Sequence, residues 1–367
     1  MMKAIVQTTE GDPAALELQE VPKPTLQPGE VLVRVAASGV NRADLTQAEG
    51  NYPPPKGASD ILGLECAGEI ADAGDTNREV GEKVGALLVG GGYAEYVAVP
   101  EGQLLPIPEG FSFAETAAVI ETACTVWSNI VMEVGLSKGE TILIHGGGGG
   151  IGLMAIQIAK AIGATVAVTA GSAEKLEVCK SYGADILINY KEQDFAEELK
   201  NQCDVILDIV GGPYLKKNMF ALAKGGRMIT IGLQGGNKAE INMGVMMMKD
   251  ISLHGTTLRS YSPGGMLIAL AAALKGGNPP TPSIHRLRHG LPGYLILFDT
   301  HTFEHERQLR LSVLPSQSEF FVISKHFTAT PRIPPASTVL KTPSINCNFT
   351  VEPQTFTTDL NIHLRSL

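Results

Sequence analysis

Thr141-Ile142-Leu143-Ile144-His145 runs directly into Gly146-Gly147-Gly148-Gly149-Gly150-Ile151-Gly152, and from Leu153 to Ile162 the chain reads as an apolar helix. Strand, glycine loop, helix is the order a dinucleotide site requires. Glycines let the backbone turn sharply and close on a pyrophosphate without Cβ clashes, and the helix that follows offers unpaired N–H groups and its positive dipole end. Gly147, Gly149 and Gly152 fit G-x-G-x-x-G. A run of five glycines matches that pattern cheaply, so the weight comes from context. Gly163 is a good helix stop, and Thr165–Thr169 is the next strand candidate. Cofactor binding is the expected role of Gly147, Gly149, Gly150, Ile151 and Gly152, and a glycine loop without a ligand is the plain alternative.

Outward from this unit, strands and helices alternate: Ala173–Tyr182, Ile186–Asn189, Phe195–Lys200, Val205–Asp208, Tyr214–Leu222, Gly226–Ile231 and Ile251–Thr257. Alternation at this spacing implies a parallel sheet with crossover helices, whose ligands sit beyond the carboxyl ends of the strands. The glycine run, Gly171-Ser172, Asp208 and Gly232 all fall at such ends. Residues 1–120 differ. Ala4–Gln7, Val31–Ala37, Ala67–Ala73 and Glu95–Val99 read as strands between Pro- and Gly-rich turns, which suggests a β-rich domain. Residues 276–367 differ again. They hold ten of the 22 prolines and six of the eight histidines but only four of the 41 glycines, and Pro, Ser and Thr crowd residues 328–358.

Composition sets limits. A chain of 367 residues with 44% hydrophobic content can bury two domain cores. A net charge of −9 argues against general nucleic-acid affinity. Cys66, Cys124, Cys179, Cys203 and Cys347 are scattered without C-x-x-C spacing, so they suggest reduced thiols rather than a disulfide framework or zinc cluster. There is no apolar signal core and no run of 18 apolar residues, so a cytoplasmic protein without membrane contact is the expectation.

Six segments together carry a specific resemblance: Ala37-Ser-Gly-Val-Asn-Arg-Ala-Asp44, Ile61-Leu-Gly-Leu-Glu-Cys-Ala-Gly68, Gly91-Gly-Tyr-Ala-Glu-Tyr-Val97, His145–Gly152, Gly171-Ser-Ala-Glu-Lys175 and Leu253-His-Gly-Thr-Thr-Leu-Arg259. The chain resembles the medium-chain dehydrogenase/reductase superfamily and, within it, the zinc-free NADPH quinone oxidoreductases of the zeta-crystallin-like group. The resemblance implies an α/β fold, a Rossmann doubly wound parallel sheet plus a β-rich GroES-like domain. It sets a GroES-like catalytic domain at 1–120, a Rossmann NADP-binding domain at 121–262 and a divergent tail at 263–367. It also implies a homodimer. Zinc-using relatives carry a cysteine where this chain has Ser38, Gly-His-Glu where it has Gly63-Leu64-Glu65, and a lobe of four cysteines with no counterpart here. Without soft ligands no metal site is expected. The hydride acceptor must then be intrinsically electrophilic, a quinone or an activated alkene.

The second strand decides the nicotinamide. NAD sites usually end it with Asp or Glu for the ribose hydroxyls. Here it ends at Thr169-Ala170-Gly171-Ser172, with Lys175 three residues on, so Gly171, Ser172 and Lys175 are expected to accept a 2′-phosphate and the cofactor to be NADPH. Helix capping by Ser172, a solvated Lys175, and an inward Glu174 serving NAD are the alternatives. By resemblance Tyr190 lies on the adenosine side, Thr125 approaches the nicotinamide, and Asn41 and Tyr52 line the catalytic pocket. The glycines of Asp208–Gly212 and of Gly232–Gly236 are expected to leave room for the nicotinamide half, and by resemblance Arg259 contacts cofactor. Loop, helix or turn roles are the simple alternative for each, and Glu65 reads as structural. A protein that binds NADPH but is catalytically impaired, acting as a sensor, structural or RNA-binding protein, is the rival reading.

The resemblance ends shortly after Arg259. Family members continue with a charged helix and strands that complete the catalytic domain. Here Ser260–Gly265 leads to Met266–Leu274 and then to sequence without clear periodicity. That tail reads as sequence appended to a truncated enzyme by a gene-model error, or as a lineage-specific extension, and it is expected to pack poorly. His285, His289, His301 and His305 include two i, i+4 pairs, which chance explains in such a segment.

Overall fold

The computed structural model describes residues 1–260, 311–313 and 321–324. The histidine pairs of the tail and most of residues 263–367 lie outside the described residues.

The amino-terminal half is antiparallel. β1 (Met2–Gln7) pairs with β2 (Leu16–Val21). β3 (Glu30–Val40) alternates buried and exposed side chains, as a half-buried strand must. On one edge it pairs with β4 (Glu65–Asp72), which continues through β5 (Lys83–Leu87) to β7 (Leu104–Pro106). On its other edge β6 (Tyr96–Pro100) covers Glu30–Arg34. Val31, Val33, Val35, Cys66, Ile70, Val84, Val97 and Val99 form the core of this domain. One short helix, α1 (Arg42–Ala48), follows β3. The Asp44 carboxylate accepts the Asn41 N–H at 2.7 Å and fixes where that helix begins.

α2 (Phe113–Val126) belongs to both halves. Ser112 and Glu115 form a reciprocal capping box at its start. Ala117 packs with Ala37 and Ala67 of the antiparallel sheet, whereas Ala123, Cys124 and Trp127 lie in the core of the second domain. A π-helical stretch, Trp127–Glu133, continues it. There the Ser128 hydroxyl and the Asn129 amide both donate to the Thr125 carbonyl and compete with the regular backbone ladder.

The second domain is a parallel sheet in the order β10 (Ile186–Asn189), β9 (Thr165–Ala170), β8 (Thr141–His145), β11 (Cys203–Asp208), β12 (Leu222–Thr230), β13 (Ser252–Gly255). The order runs outward from β8 in one direction and from β11 in the other, so the strand order reverses beside the glycine loop. That is where a doubly wound sheet opens its ligand crevice. The crossover helices are α3 (Gly150–Ile162), α4 (Ala173–Ser181), α5 (Phe195–Glu198), α6 (Leu215–Ala221) and α7 (Met243–Lys249). Ile142, Ile144, Ile156, Ile158, Val166, Val168, Val205 and Leu207 fill the layer between the sheet and α3. The expected fold class is therefore the observed one. Element ends move by a few residues: α3 starts at Gly150 rather than Leu153, and β12 starts at Leu222 rather than Gly226.

Two strands come from the tail. β14 (Leu311–Val313) pairs antiparallel with β15 (Phe321–Ser324), and β15 runs parallel to Ala37–Val40 of β3.

Candidate active site

The glycine loop is built as a phosphate cradle. Gly146 takes φ +70°, a conformation that favours glycine. A Cβ on Gly152 would lie 2.5 Å from the carbonyl oxygens of Gly146 and Gly147, so α3 can approach the loop only through a glycine. A Cβ on Gly147 would meet Val168 at 2.7 Å. Gly149 is the N-cap of α3 and supplies no side chain to the first-turn N–H groups of Gly150, Ile151 and Gly152. Those donors and the helix dipole suit an anionic pyrophosphate. Thr169 holds the loop from β9: its carbonyl accepts the Gly147 N–H at 2.9 Å and its hydroxyl faces the Gly146 N–H at 3.4 Å. That hydroxyl also meets His145 Nδ1 at 3.0 Å, and His145 Nε2 lies 2.8 Å from Asn218 Oδ1. Burial lowers the His145 pKa to about 4, so the imidazole stays neutral.

At the end of β9, Ser172 caps α4, its hydroxyl accepting the Lys175 N–H at 3.4 Å. Lys175 leaves the first turn of α4 with its stem along the glycine loop, since a Cβ on Gly148 would meet Lys175 Cβ, Cγ and Cδ at 3.0–3.3 Å. Glu174 is exposed. Tyr190 is 46% exposed, and its hydroxyl lies 2.6 Å from where a Gly171 Cβ would be. Gly171, Ser172, Lys175 and Tyr190 thus gather beside the loop.

The pocket residues join through buried carboxylates. Asn41, 6% exposed, donates from Nδ2 to Glu65 Oε1 at 2.8 Å. Glu65 Oε2 accepts the Glu121 N–H at 2.7 Å, and Glu121 Oε1 accepts the Thr125 hydroxyl at 3.1 Å. One hydrogen-bonded path therefore runs from Asn41 at the end of β3 to Thr125 in α2. Glu65 thus links Asn41 to α2 through these two bonds. Beneath Asn41, Asp44 also accepts the Tyr93 hydroxyl at 2.9 Å, and burial raises its pKa to about 7. Tyr52 is half-buried, its hydroxyl partners Thr257, and burial raises its pKa. Ser38 donates to the Glu65 carbonyl at 2.7 Å and Leu64 is buried. Among the described residues, no group of three or more His, Cys, Asp or Glu side chains could hold a metal ion.

Two expectations meet a different local geometry. The glycines after β11 and β12 serve each other rather than an open space. The Gly212 N–H donates to the Gly236 carbonyl at 2.9 Å and the Gly235 N–H to the Val210 carbonyl at 2.8 Å, while a Cβ on Gly232 would lie 3.0 Å from the Ile209 carbonyl oxygen. The two loops are stitched together, and Asp208 closes a turn on Val210 and Gly211. Arg259 points into the amino-terminal domain instead of the glycine loop. It donates to the carbonyls of Tyr52, Pro53 and Val89 and to Gln47 Oε1. Sequence patterns alone do not single out Asp44 or Asn129 for the site. Glu121 does carry a signal, as a lone carboxylate inside the apolar stretch Ala117–Val126.

The alcohol dehydrogenase GroES-like domain model matches residues 27–109, and the zinc-binding dehydrogenase model matches residues 150–273. Human quinone oxidoreductase is 31% identical over 290 residues, covering 76% of this chain and 86% of its own length. The chain belongs to the quinone oxidoreductases of the medium-chain dehydrogenase/reductase superfamily. The quinone oxidoreductase structure from Pseudomonas syringae pv. tomato superposes with a TM-score of 0.67 at 31% identity, covering 75% of this chain and 89% of that one. The Escherichia coli quinone oxidoreductase, solved with NADPH, gives 0.65 at 27% identity, covering 73% and 84%. The chain also matches a phenolphthiocerol/phthiocerol polyketide synthase of Mycobacterium tuberculosis at 35% identity, but spans only 10% of that protein's length. The chain is thus an oxidoreductase with a site for a nicotinamide cofactor. No described helix is long and apolar enough to cross a membrane.

Proposed function

We propose that this protein transfers a hydride from NADPH to a quinone or an activated alkene without a metal. The observation that carries the cofactor choice is the end of β9. It offers Gly171 and Ser172 where a ribose-binding carboxylate would stand, with the Lys175 stem already laid along Gly148. A carboxylate there would repel a 2′-phosphate, and an ammonium attracts it. The NADPH in the E. coli relative favours the same choice.

Bound NADPH would supply the hydride. The chain supplies binding, orientation and a dry site. Gly147, Gly149, Gly150, Ile151 and Gly152 would take the pyrophosphate, and Tyr190 the adenosine side. Thr125 would orient the nicotinamide, its hydroxyl proton already given to Glu121, so that its lone pairs accept a donor. Asn41 and Tyr52 would border the acceptor. With Ser38 committed to the Glu65 carbonyl and Leu64 apolar, no ligand set is available among the described residues to polarise a simple ketone or alcohol, which favours an electrophilic acceptor. A homodimer is part of the same reading. Among the described residues β13 ends the parallel sheet, and Met243, Met247 and Met248 of α7, which packs on the neighbouring β12, are exposed.

The test is oxidation of NADPH and NADH with a simple ortho-quinone and with an enone. Turnover with NADPH well above NADH is expected. Tight NADPH binding without turnover on either acceptor would refute the enzymatic reading in favour of a binding protein.

A further inference from the structure

Arg259 follows β13, yet among the described residues the hydrogen bonds of its guanidinium all reach the other domain. Nη1 donates to the Tyr52 carbonyl at 2.9 Å and the Pro53 carbonyl at 3.0 Å. Nη2 donates to Gln47 Oε1 at 2.5 Å and the Val89 carbonyl at 3.3 Å. The guanidinium carbon lies 4.0 Å from the centre of the Tyr52 ring. Nε is buried with no partner among the described residues. The four Nη hydrogens thus face four acceptors of the amino-terminal domain.

We infer that Arg259 is a positioning residue: it holds Tyr52 at the mouth of the site and so governs affinity for the electron acceptor, not for the cofactor. This rests on the reductase reading above. Tyr52 stands in the long connection between α1 and β4, just ahead of Pro53-Pro54-Pro55, with no strand or helix to fix it. Arg259 secures its backbone through the two carbonyls and its ring through the stacked cation. Thr257, two residues earlier, partners the Tyr52 hydroxyl. Thr256 bonds Asn129, whose amide donates to the Thr125 carbonyl at 2.7 Å. The segment Thr256–Arg259 therefore braces both Thr125 and Tyr52. Only a planar, five-donor cation can stack on the ring and span two carbonyls, the glutamine and a fourth acceptor at once. A lysine ammonium is a point charge with three donors.

The experiment compares the native chain with Arg259→Lys, Tyr52→Leu and the double variant. NADPH affinity is read by fluorescence quenching, kinetics with a simple ortho-quinone, and backbone exposure by hydrogen exchange. For Arg259→Lys the acceptor KM should rise by about tenfold while the NADPH Kd stays within about twofold, with no further rise when Tyr52→Leu is already present. Exchange should quicken at residues 47–56 and 88–90 alone. A parallel loss of NADPH affinity, additive effects of the two substitutions, or exchange that is unchanged or quickened throughout would overturn the inference. If the native chain reduces no quinone, the reductase reading fails, and the exchange pattern alone then decides whether Arg259 holds the Tyr52 loop.

Discussion

Replacing Lys175 by alanine should separate the two nicotinamide cofactors. The Lys175 side chain is exposed, but its stem rests against Gly148, so part of the entropy of ordering it is already lost before a ligand arrives. At a separation of about 4 Å in water-like surroundings one unit charge pair is worth about 1 kcal/mol. A 2′-phosphate carries nearly two charges, so the contact is worth about 2 kcal/mol, or about thirtyfold in Kd. NADH has no such phosphate and should lose nothing. Gly171→Asp tests the same contact from the other side. Its Cβ would crowd the Tyr190 hydroxyl at 2.6 Å and a ring carbon at 2.9 Å, so Tyr190 must shift; that steric cost falls on both cofactors, and only the additional loss with NADPH is electrostatic. Fluorescence titration of both cofactors at low and at high salt is the assay. The NADPH preference should shrink in Lys175→Ala and at high salt, since the Debye length falls to about 3 Å at about 1 M, inside the separation of about 4 Å. If Lys175→Ala weakened NADPH and NADH equally, Lys175 would belong to the pyrophosphate site and the argument for NADPH would collapse.

Gly152→Ala forces a Cβ to 2.5 Å from two backbone carbonyl oxygens, so the loop must open. Stability should fall by about 1–3 kcal/mol, and both cofactors should weaken together, which melting curves and titration would show. Prolonged chelation should leave activity unchanged, and one tightly held zinc per chain by elemental analysis would contradict the metal-free mechanism. His145 has a pKa of about 4 in the fold against 6.5 when free, so the unfolded chain binds a proton that the folded chain refuses between those values. Its contribution to stability is present above pH 6.5 and fades as pH falls toward 4. His145→Asn should flatten that acid loss in thermal melts, and an unchanged slope would show that other groups cause it.

What was legible in the sequence was local. β8, the glycine loop and α3 sit next to one another in the chain, and hydrophobic periodicity with glycine chemistry fixes them without help from elsewhere. The Ser172–Lys175 turn was readable for the same reason. What escaped depends on contacts between distant segments. Asn41 and Thr125 could be proposed one at a time, but their connection through Glu65 and Glu121 spans both domains. Arg259 resembles the arginine of the family's Leu-Arg segment, and that resemblance does not say where its guanidinium points. Its partners stand about 170 to 212 residues away, and no periodicity reports them. The glycines after β11 and β12 looked like space left for a ligand. Two loops closing on each other need small residues just as much, and sequence alone does not separate those uses.

The tail illustrates how local chemistry and a global slot can disagree. Nothing in the pattern of residues 276–367 specifies a fold, and Phe320–Ile323 stood out only as a short apolar run. Yet β3 has an edge that the described residues of the first domain cover only in part. β6 hydrogen-bonds along Glu30–Arg34, and the same edge lies open beyond it at Ala37–Val40. A strand edge presents unpaired N–H and C=O groups, to which the backbone of another strand can pair. Phe321–Ser324 takes that position. The slot matters to the chemistry, since it flanks Ser38 and ends one residue before Asn41. A strand at this edge helps hold the end of β3, from which Asn41 reaches Glu65.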